Sequence, residues 1–440
     1  MRPRAYSWPD GHWDWYRHLA FKHGVRCERF IHVGGQVDKT SRGDPLHPDD
    51  LPTQIGVVVR HIDTVLREFG VTLADTVKLT AFYAADDDAV DEAWFVEVVA
   101  EACRANGLAA PRSGPVLVPV PLPWLALPGM RVEIEAVAMR GEYGQFLERD
   151  SASPAGVPDL PAPFNHALRC GGHVFVGGQD AAGSDTEIGA RGNGGASAGA
   201  PRQGLAGGEG EAGAGRGNAA STGAPKTGAL AHERLADALR RLGAGSADLV
   251  RLGAWYAAET PLPVRTADFE RHVAPLECAY VELPAPRLAP EHVVRLDGWA
   301  VCGEAQGEDA RSVLRLASPW RRPGRSAHVG GVRCGDVVFL SSQLPLDEHG
   351  AVVHPGDLNA QTRLCIERTR ELLETAGLGL DHMMKQTSYF FGDADPKDIV
   401  TNQTLRSSFY REPAGASTGV PLADFGEPGV LTAIDTIAMA

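Results

Sequence analysis

Two hydrophobic periods alternate along the first third of the chain. FIHVGGQ, ending at Gln36, is a β-type apolar run, so Cys27 to Gln36 is predicted as a strand, and the turn-rich SRGDPLHPDD follows it. From there Leu51, Ile55, Val58, Val59, Ile62, Val65, Leu66 and Phe69 recur at three- and four-residue spacing. That spacing predicts one apolar stripe on a helix capped by Asp50 and ended by Gly70. TVKLTAFYA, within Asp75 to Ala84, predicts a strand, Ala89 to Asn106 a second amphipathic helix, and Val116 to Val120 and Met130 to Met139 two further strands. The unit reads β-β-α-β-α-β-β. Its helices fall on one sheet face, which leaves the other face in need of cover.

The pattern then returns. Arg26-Cys27 to Gln36 recurs as Arg169-Cys170 to Gln179 and as Arg333-Cys334 to Gln343. Between the first and third copies one constant offset carries His47-Pro48, Asp50-Leu51, Gln54, Gly70, Lys78 and Thr80 onto His354-Pro355, Asp357-Leu358, Gln361, Gly377, Lys385 and Thr387. The middle copy follows the first more loosely and carries an insertion rich in Gly, Ala, Ser, Asn and Thr. One supersecondary unit has been written three times. The expected division is an aromatic extension over 1–23, modules over 24–141, 164–304 and 328–440, and linkers over 142–163 and 305–327. Residues 181–228 form a disordered insertion, because too few bulky apolar residues are present to offset the entropy of ordering.

Length agrees with three modules: 440 residues at 43% hydrophobic content exceed one ordinary core. A formal charge of −14 without a Lys/Arg-rich run argues against a nucleic-acid partner. Seven cysteines with no Cys-x-x-Cys pair fit neither a disulfide framework nor a zinc ribbon, and three of them share one repeat position as small core residues. Fifteen histidines are scattered without His-Glu-x-x-His, and His12, His18 and His23 lack ligand-type spacing, so no metal and no cofactor is expected. No signal peptide and no membrane-length apolar run is read, which makes a cytoplasmic protein acting on a small molecule the expectation. Trp8, Trp13, Trp15 and Tyr16 lie outside the repeat and either cover an edge or wall a pocket.

A strand ending in Gly-Gly-Gln (Gly34 to Gln36), Leu-x-x-Gln opening a helix (Leu51 to Gln54), Lys-x-Thr (Lys78 to Thr80), Pro-Arg-Ser (Pro111 to Ser113) and VEIEAVA (Val132 to Ala138) occur in this order. The order resembles the RidA (YjgF-like) family of enamine/imine deaminases, strongly in modules one and three and weakly in two. The resemblance implies an α/β, chorismate-mutase-like sandwich, with a mixed sheet and two helices on one face of each module. It also implies an intramolecular pseudotrimer, monomeric or further assembled, with pockets between modules.

The same resemblance implies roles for residues. Arg112, with Ser113, holds a substrate carboxylate. In the third copy Ser417 or Ala416 stands at the place of that arginine, and Arg287 is a weak candidate in the second. Glu135 handles a proton, with Asp297 and Asp435 as its equivalents, and backbone N–H groups near Gly35 and Gly114 stabilise developing charge. Ser341 and Asn402 keep the family's pocket hydroxyl and amide. Since Arg and Glu survive in copy one and Ser and Asn in copy three, a single pocket shared by modules one and three is expected. The three acids also admit a second reading as salt bridges within the pseudotrimer, and Lys78 and Lys385, with Arg251 between them by repeat position, are read as pairing at the module interface rather than acting as bases. The expected reaction is hydrolytic deamination of an imine or enamine acid. A ring-opening cyclic-amide hydrolase using Ser-Lys pairs and a non-catalytic small-molecule binder are the alternatives.

Overall fold

The computed structural model describes residues 2–13, 17–85, 90–108, 114–181, 220–289, 292–302, 313–392 and 396–440, with the backbone alone at 220–227 and 396–398. Arg112, Ser113 and most of the insertion read over 181–228 lie outside the described residues, and the end of that stretch, from Ala220, is helical instead of disordered.

Three six-stranded sheets form, one per repeat. The first contains β1 (Arg4–Ser7), β2 (Gly24–Cys27), β3 (Phe30–Gln36), β4 (Thr76–Ala84), β5 (Val116–Leu122) and β6 (Val132–Met139), with helices α1 (Leu51–Glu68) and α2 (Glu92–Ala105). The second contains β7 (Arg149–Ala152), β8 (Ala167–Cys170), β9 (His173–Gln179), β10 (Leu249–Ala257), β11 (Ala279–Ala285) and β12 (Val294–Val301), with α3 (Ala220–Arg241) and α4 (Leu262–Asp268). The third contains β13 (Val313–Ala317), β14 (Val329–Cys334), β15 (Val337–Leu340), β16 (Met383–Phe391), β17 (Ala416–Leu422) and β18 (Thr432–Met439), with α5 (Leu358–Thr375) and α6 (Pro396–Ser407).

Each sheet runs in the same spatial order, β1-β2-β3-β6-β4-β5 in the first. All its pairs are antiparallel except β4 with β5. The residues read as extension and linkers each supply one outer strand: β1, β7 and β13. The run expected as one strand from Cys27 to Gln36 is a hairpin, because Glu28 turns the chain at φ 52°. Gly171 and Gly335 make the same left-handed turn at φ 57° and 58°, where glycine meets no steric penalty.

The stripe on α1 behaves as its spacing predicts. Asp50 accepts from the backbone N–H of Thr53 at the N-terminus, and Ile55, Val58, Ile62 and Val65 are buried against Leu79, Ala81 and Ile134. Each such side chain contributes about 1.5–3 kcal/mol by leaving water. The opposite sheet faces cover one another: Cys27, Phe30, Leu168, Cys170, Phe175, Val332, Cys334 and Phe339 join one apolar cluster. The three aligned cysteines are therefore core residues, and burial pushes their thiols up.

Candidate functional site

The acids and cations of the repeat meet where the sheets face each other. Lys385 lies 2.8 Å from Glu135, Lys78 pairs with Asp297, and Arg251 pairs with Asp435 while its other nitrogen sits 3.5 Å from Asp297. Each module's acid thus takes its cation from another module. Burial alone would raise the Glu135 carboxyl, but the Lys385 ammonium and the Thr418 hydroxyl hold it below its usual value; Lys78 and Arg251 do the same for Asp297. These groups surround a cavity of about 40 Å³ that also reaches His32, Thr80 and Thr387. Three acids facing three cations neutralise one another, which is the chemistry of an interface. Lys78 and Lys385 are held by acids and threonines, not serines, which removes the observation that a Ser-Lys hydrolase needs.

The edges where modules abut are more informative. β17 lies against β3, β5 against β9, and β11 against β14 and β15. Ladder registers place three residues at one repeat position on the closing strand: Glu133, Arg295 and Ala433. Between modules two and one, the Arg295 guanidinium fills the space itself. It donates to Glu92, to Asp180 and to the Pro119 carbonyl, with Nη1–Oε2 at 2.8 Å and Nη2–Oδ2 at 2.6 Å. Between modules three and two, Glu282 on β11 is clasped by Arg325, and Arg322 reaches Glu427 and the Glu282 carbonyl; about 10 Å³ is left. Outside that plug lies a wider hollow of about 320 Å³ holding the exposed pair Arg315–Glu277.

Between modules one and three the same space is open. About 60 Å³ is lined by Gly35, Lys39 and Glu133 of module one, by Arg406, Ser417 and Gly419 of module three, and by Trp13 and Phe21 of the extension. Glu133 is 6% exposed. Burial pushes its carboxyl up to about 7, helped by the negative charge of Glu135 and opposed by Lys39. Burial likewise lowers the partly exposed Lys39 to about 8 against the pull of Glu133 and Asp44. An acid and an amine that both change charge near neutrality face one small cavity, which is the condition for proton transfer at physiological pH.

Asn402 on α6 donates to Thr362 at 2.9 Å and accepts from Arg406 Nε at 3.0 Å; Arg406 Nη1 donates to Ser417 Oγ at 3.2 Å. Gly34 and Gly35 allow the close approach: a Cβ on Gly34 would stand 2.6 Å from the Ser417 carbonyl, and one on Gly35 would collide with the Glu133 carboxylate. Trp13 walls the cavity while its neighbour His12 packs on His23 and His61, with ring centroids 4.4 and 4.5 Å apart. Burial lowers all three histidines, His61 to about 4, so the cluster behind Trp13 is neutral at pH 7.

Of the residues expected in one pocket, Gly35, Ser417 and, through Arg406, Asn402 do come together. Glu135 and Asp435 sit instead in the ion-paired centre, and Ser341 Oγ accepts from the Tyr280 N–H at the interface of modules three and two. The Gly35 N–H is given to Thr418 Oγ1 at 2.9 Å, which removes it as a donor for developing charge. Gly114 abuts the Pro163 carbonyl and β5 packs on module two, while Arg112 and Ser113 lie outside the described residues. The ladders pair Lys78 with Val116 and Lys385 with Ala416, so Ala416 stands at the repeat position of Val116. Glu412 is exposed and bound to Lys22 at 2.7 Å. Glu133, Lys39 and Arg406 were not foreseen. The Glu-x-Glu pair at 133 and 135 was the available signal, since alternate strand residues share a face.

A mixed sheet with flanking helices, repeated three times with sites at the module edges, defines the class. The chain belongs to the Endoribonuclease L-PSP family, the RidA (YjgF-like) family, whose pattern it matches over residues 17–140 and 321–440, more than half of its length. It is 27% identical over 107 residues to a RutC family protein of Pyrococcus horikoshii, covering 24% of this chain and 82% of that one. Over 55 residues it is 40% identical to the 3-aminoacrylate deaminase RutC of Acinetobacter baylyi, covering 12% of this chain and 44% of that one. A crystal structure of a chorismatase aligns over 83% of this chain and 93% of its own at 13% identity, with a TM-score of 0.48.

Proposed function

We propose that the protein is a hydrolytic deaminase of a small imine or enamine acid, working at the pocket between modules one and three of an intramolecular pseudotrimer. The observation that carries this reading is Glu133, buried and titrating near 7 beside Lys39 in a pocket between modules one and three, at the edge position that Arg295 fills between modules two and one. The likeness to a 3-aminoacrylate deaminase supports the reaction class.

Glu133 takes a proton from the attacking water as its oxygen bonds to the C=N carbon. It passes that proton to the nitrogen, giving a carbinolamine, then takes the new hydroxyl proton and delivers it to the same nitrogen as C=O forms, the C–N bond breaks and ammonia leaves, so one carboxyl serves twice as base and then acid. The Lys39 ammonium lowers the cost of the negative charge that Glu133 carries before it takes each proton and after it gives it up. An enamine enters through its imine tautomer, for which the same carboxyl supplies the proton to carbon. The test is ammonia release from imines generated in situ by an amino-acid oxidase acting on several amino acids. Release that exceeds the spontaneous rate and depends on Glu133 supports the reading. No acceleration with any imine refutes it.

A further inference from the structure

The third module departs from the first in one place, and the departures form a chain. The offset that carries Lys78 onto Lys385 continues into α6, where buried Asn402, Arg406 and Ser407 coincide with buried Phe95, Val99 and Ala100 of α2. On α5 it carries Ile55 onto buried Thr362. Three apolar contacts in module one have thus become Thr362, Asn402 and Arg406, and these are the residues hydrogen-bonded in sequence, ending on Ser417 at the pocket. A guanidinium buried in a helix–sheet core costs several kcal/mol unless the arrangement returns it. Module one shows that the fold does not need it there.

We propose that Arg406 is the anion-binding group of this pocket, a helix-borne guanidinium that receives the carboxylate of a small 2-oxo or 2-imino acid. Three features aim it. Nε is held by Asn402 and Nη1 by Ser417, which fixes the plane of the fork. Nη2 lies over Gly419, where a Cβ would come within 3.3 Å; the same strand position carries Pro119 in module one and Glu282 in module two. Phe21 stacks against it, with the guanidinium carbon 5.9 Å from the ring. Lys39 stands on the facing wall, so the pocket offers two cations to one titrating acid, and an entering carboxylate balances them. Delocalised, planar and weakly hydrated, a guanidinium suits a buried carboxylate better than an ammonium does. The space of about 60 Å³ favours acids of three or four carbons.

The proposal deepens the deaminase reading of the same site, and its test is binding. Pyruvate is titrated calorimetrically into the full-length protein and into Arg406→Met, Arg406→Ala and Arg406→Lys, with Arg295→Lys as a control in a filled interface. The wild type and Arg295→Lys bind pyruvate alike, Arg406→Met weakens binding about 10-fold or more, and Arg406→Lys recovers part of the loss. Guanidinium ion at millimolar concentration restores binding to Arg406→Ala, which a purely structural arginine would not permit. Should the Arg406 variants fail to fold, Gly419→Ala displaces the guanidinium without removing charge and lowers affinity severalfold. Unchanged pyruvate affinity in folded Arg406→Met, or no binding by the wild type, overturns the proposal. Ammonia release is followed in parallel: binding without release removes the deaminase reading and leaves Arg406 standing, whereas release with an unchanged KM in Arg406→Met does the reverse.

Discussion

Replacing Glu135 by Gln separates the ion-paired centre from the pocket. The substitution keeps shape and one hydrogen-bond acceptor but leaves the Lys385 ammonium without its counter-charge at 2.8 Å. That ammonium retains Thr387 Oγ1 and Thr418 Oγ1, both at 2.7 Å, and the Gln386 carbonyl at 3.2 Å, and Glu135 itself is 18% exposed on its side chain. These partners place the loss at the low end for a broken buried pair, about 3 kcal/mol, which is more than a hundredfold in the folding constant. The assay is urea unfolding followed by tryptophan fluorescence, since Trp255 and Trp299 line the same cavity. Single-turnover ammonia release is measured on the variant in the absence of urea. The expected result is a clear drop in unfolding midpoint with turnover within about threefold of wild type. A folded Glu135→Gln protein that lost turnover 100-fold or more would refute the assignment of this ring to structure, and a midpoint unchanged would refute its energetic weight.

Other outcomes follow from the same geometry. Glu133 must be ionised to accept a proton and Lys39 charged to assist it, so kcat/KM rises as pH passes about 7 and falls as pH passes about 8; a flat profile from pH 6 to 9 contradicts that pairing. Gly35→Ala pushes the Glu133 carboxylate off its place and lowers kcat at least 10-fold while circular dichroism is unchanged. Arg295→Met removes the guanidinium that Glu92 and Asp180 share and costs about 3–5 kcal/mol of unfolding free energy, yet imine turnover in the folded variant is retained. Cys27, Cys170 and Cys334 react with a thiol reagent only on unfolding, because burial hides them and raises their thiols.

Much of this was readable from residues alone. A strand or helix announces itself through its own period, so α1, β4 and β6 stood where alternation and the three-four spacing placed them. Repetition also exposed the ionic centre: acids recurring at 135, 297 and 435 with cations at 78, 251 and 385 imply mutual partners in whichever way the copies pack. The pocket was harder for three physical reasons. Glu133 and Glu135 share one face of β6, and which of them stands at the module edge depends on where the neighbouring β17 ends. Gly114 and Glu133 are close in sequence, but β5, which follows Gly114, is separated from β6 by β4 in the sheet, and β5 packs on β9 of module two. Arg406 lies on a helix stripe that is apolar in copy one, and the value of a cation there emerges only when Ser417 and the facing Glu133 are in place. The filled interfaces were invisible for the same reason, since Arg295, Arg322 and Arg325 act on residues far away along the chain.

The central claim is that one of three equivalent module edges does the chemistry. Ammonia release from imines made in situ, compared between wild type, Glu133→Gln and Glu282→Gln, tests it most directly. The account predicts that Glu133→Gln loses 100-fold or more of the catalysed rate while Glu282→Gln, once shown to be folded, keeps it. Equal loss in both variants, or a Glu133→Gln enzyme as fast as wild type, would contradict it.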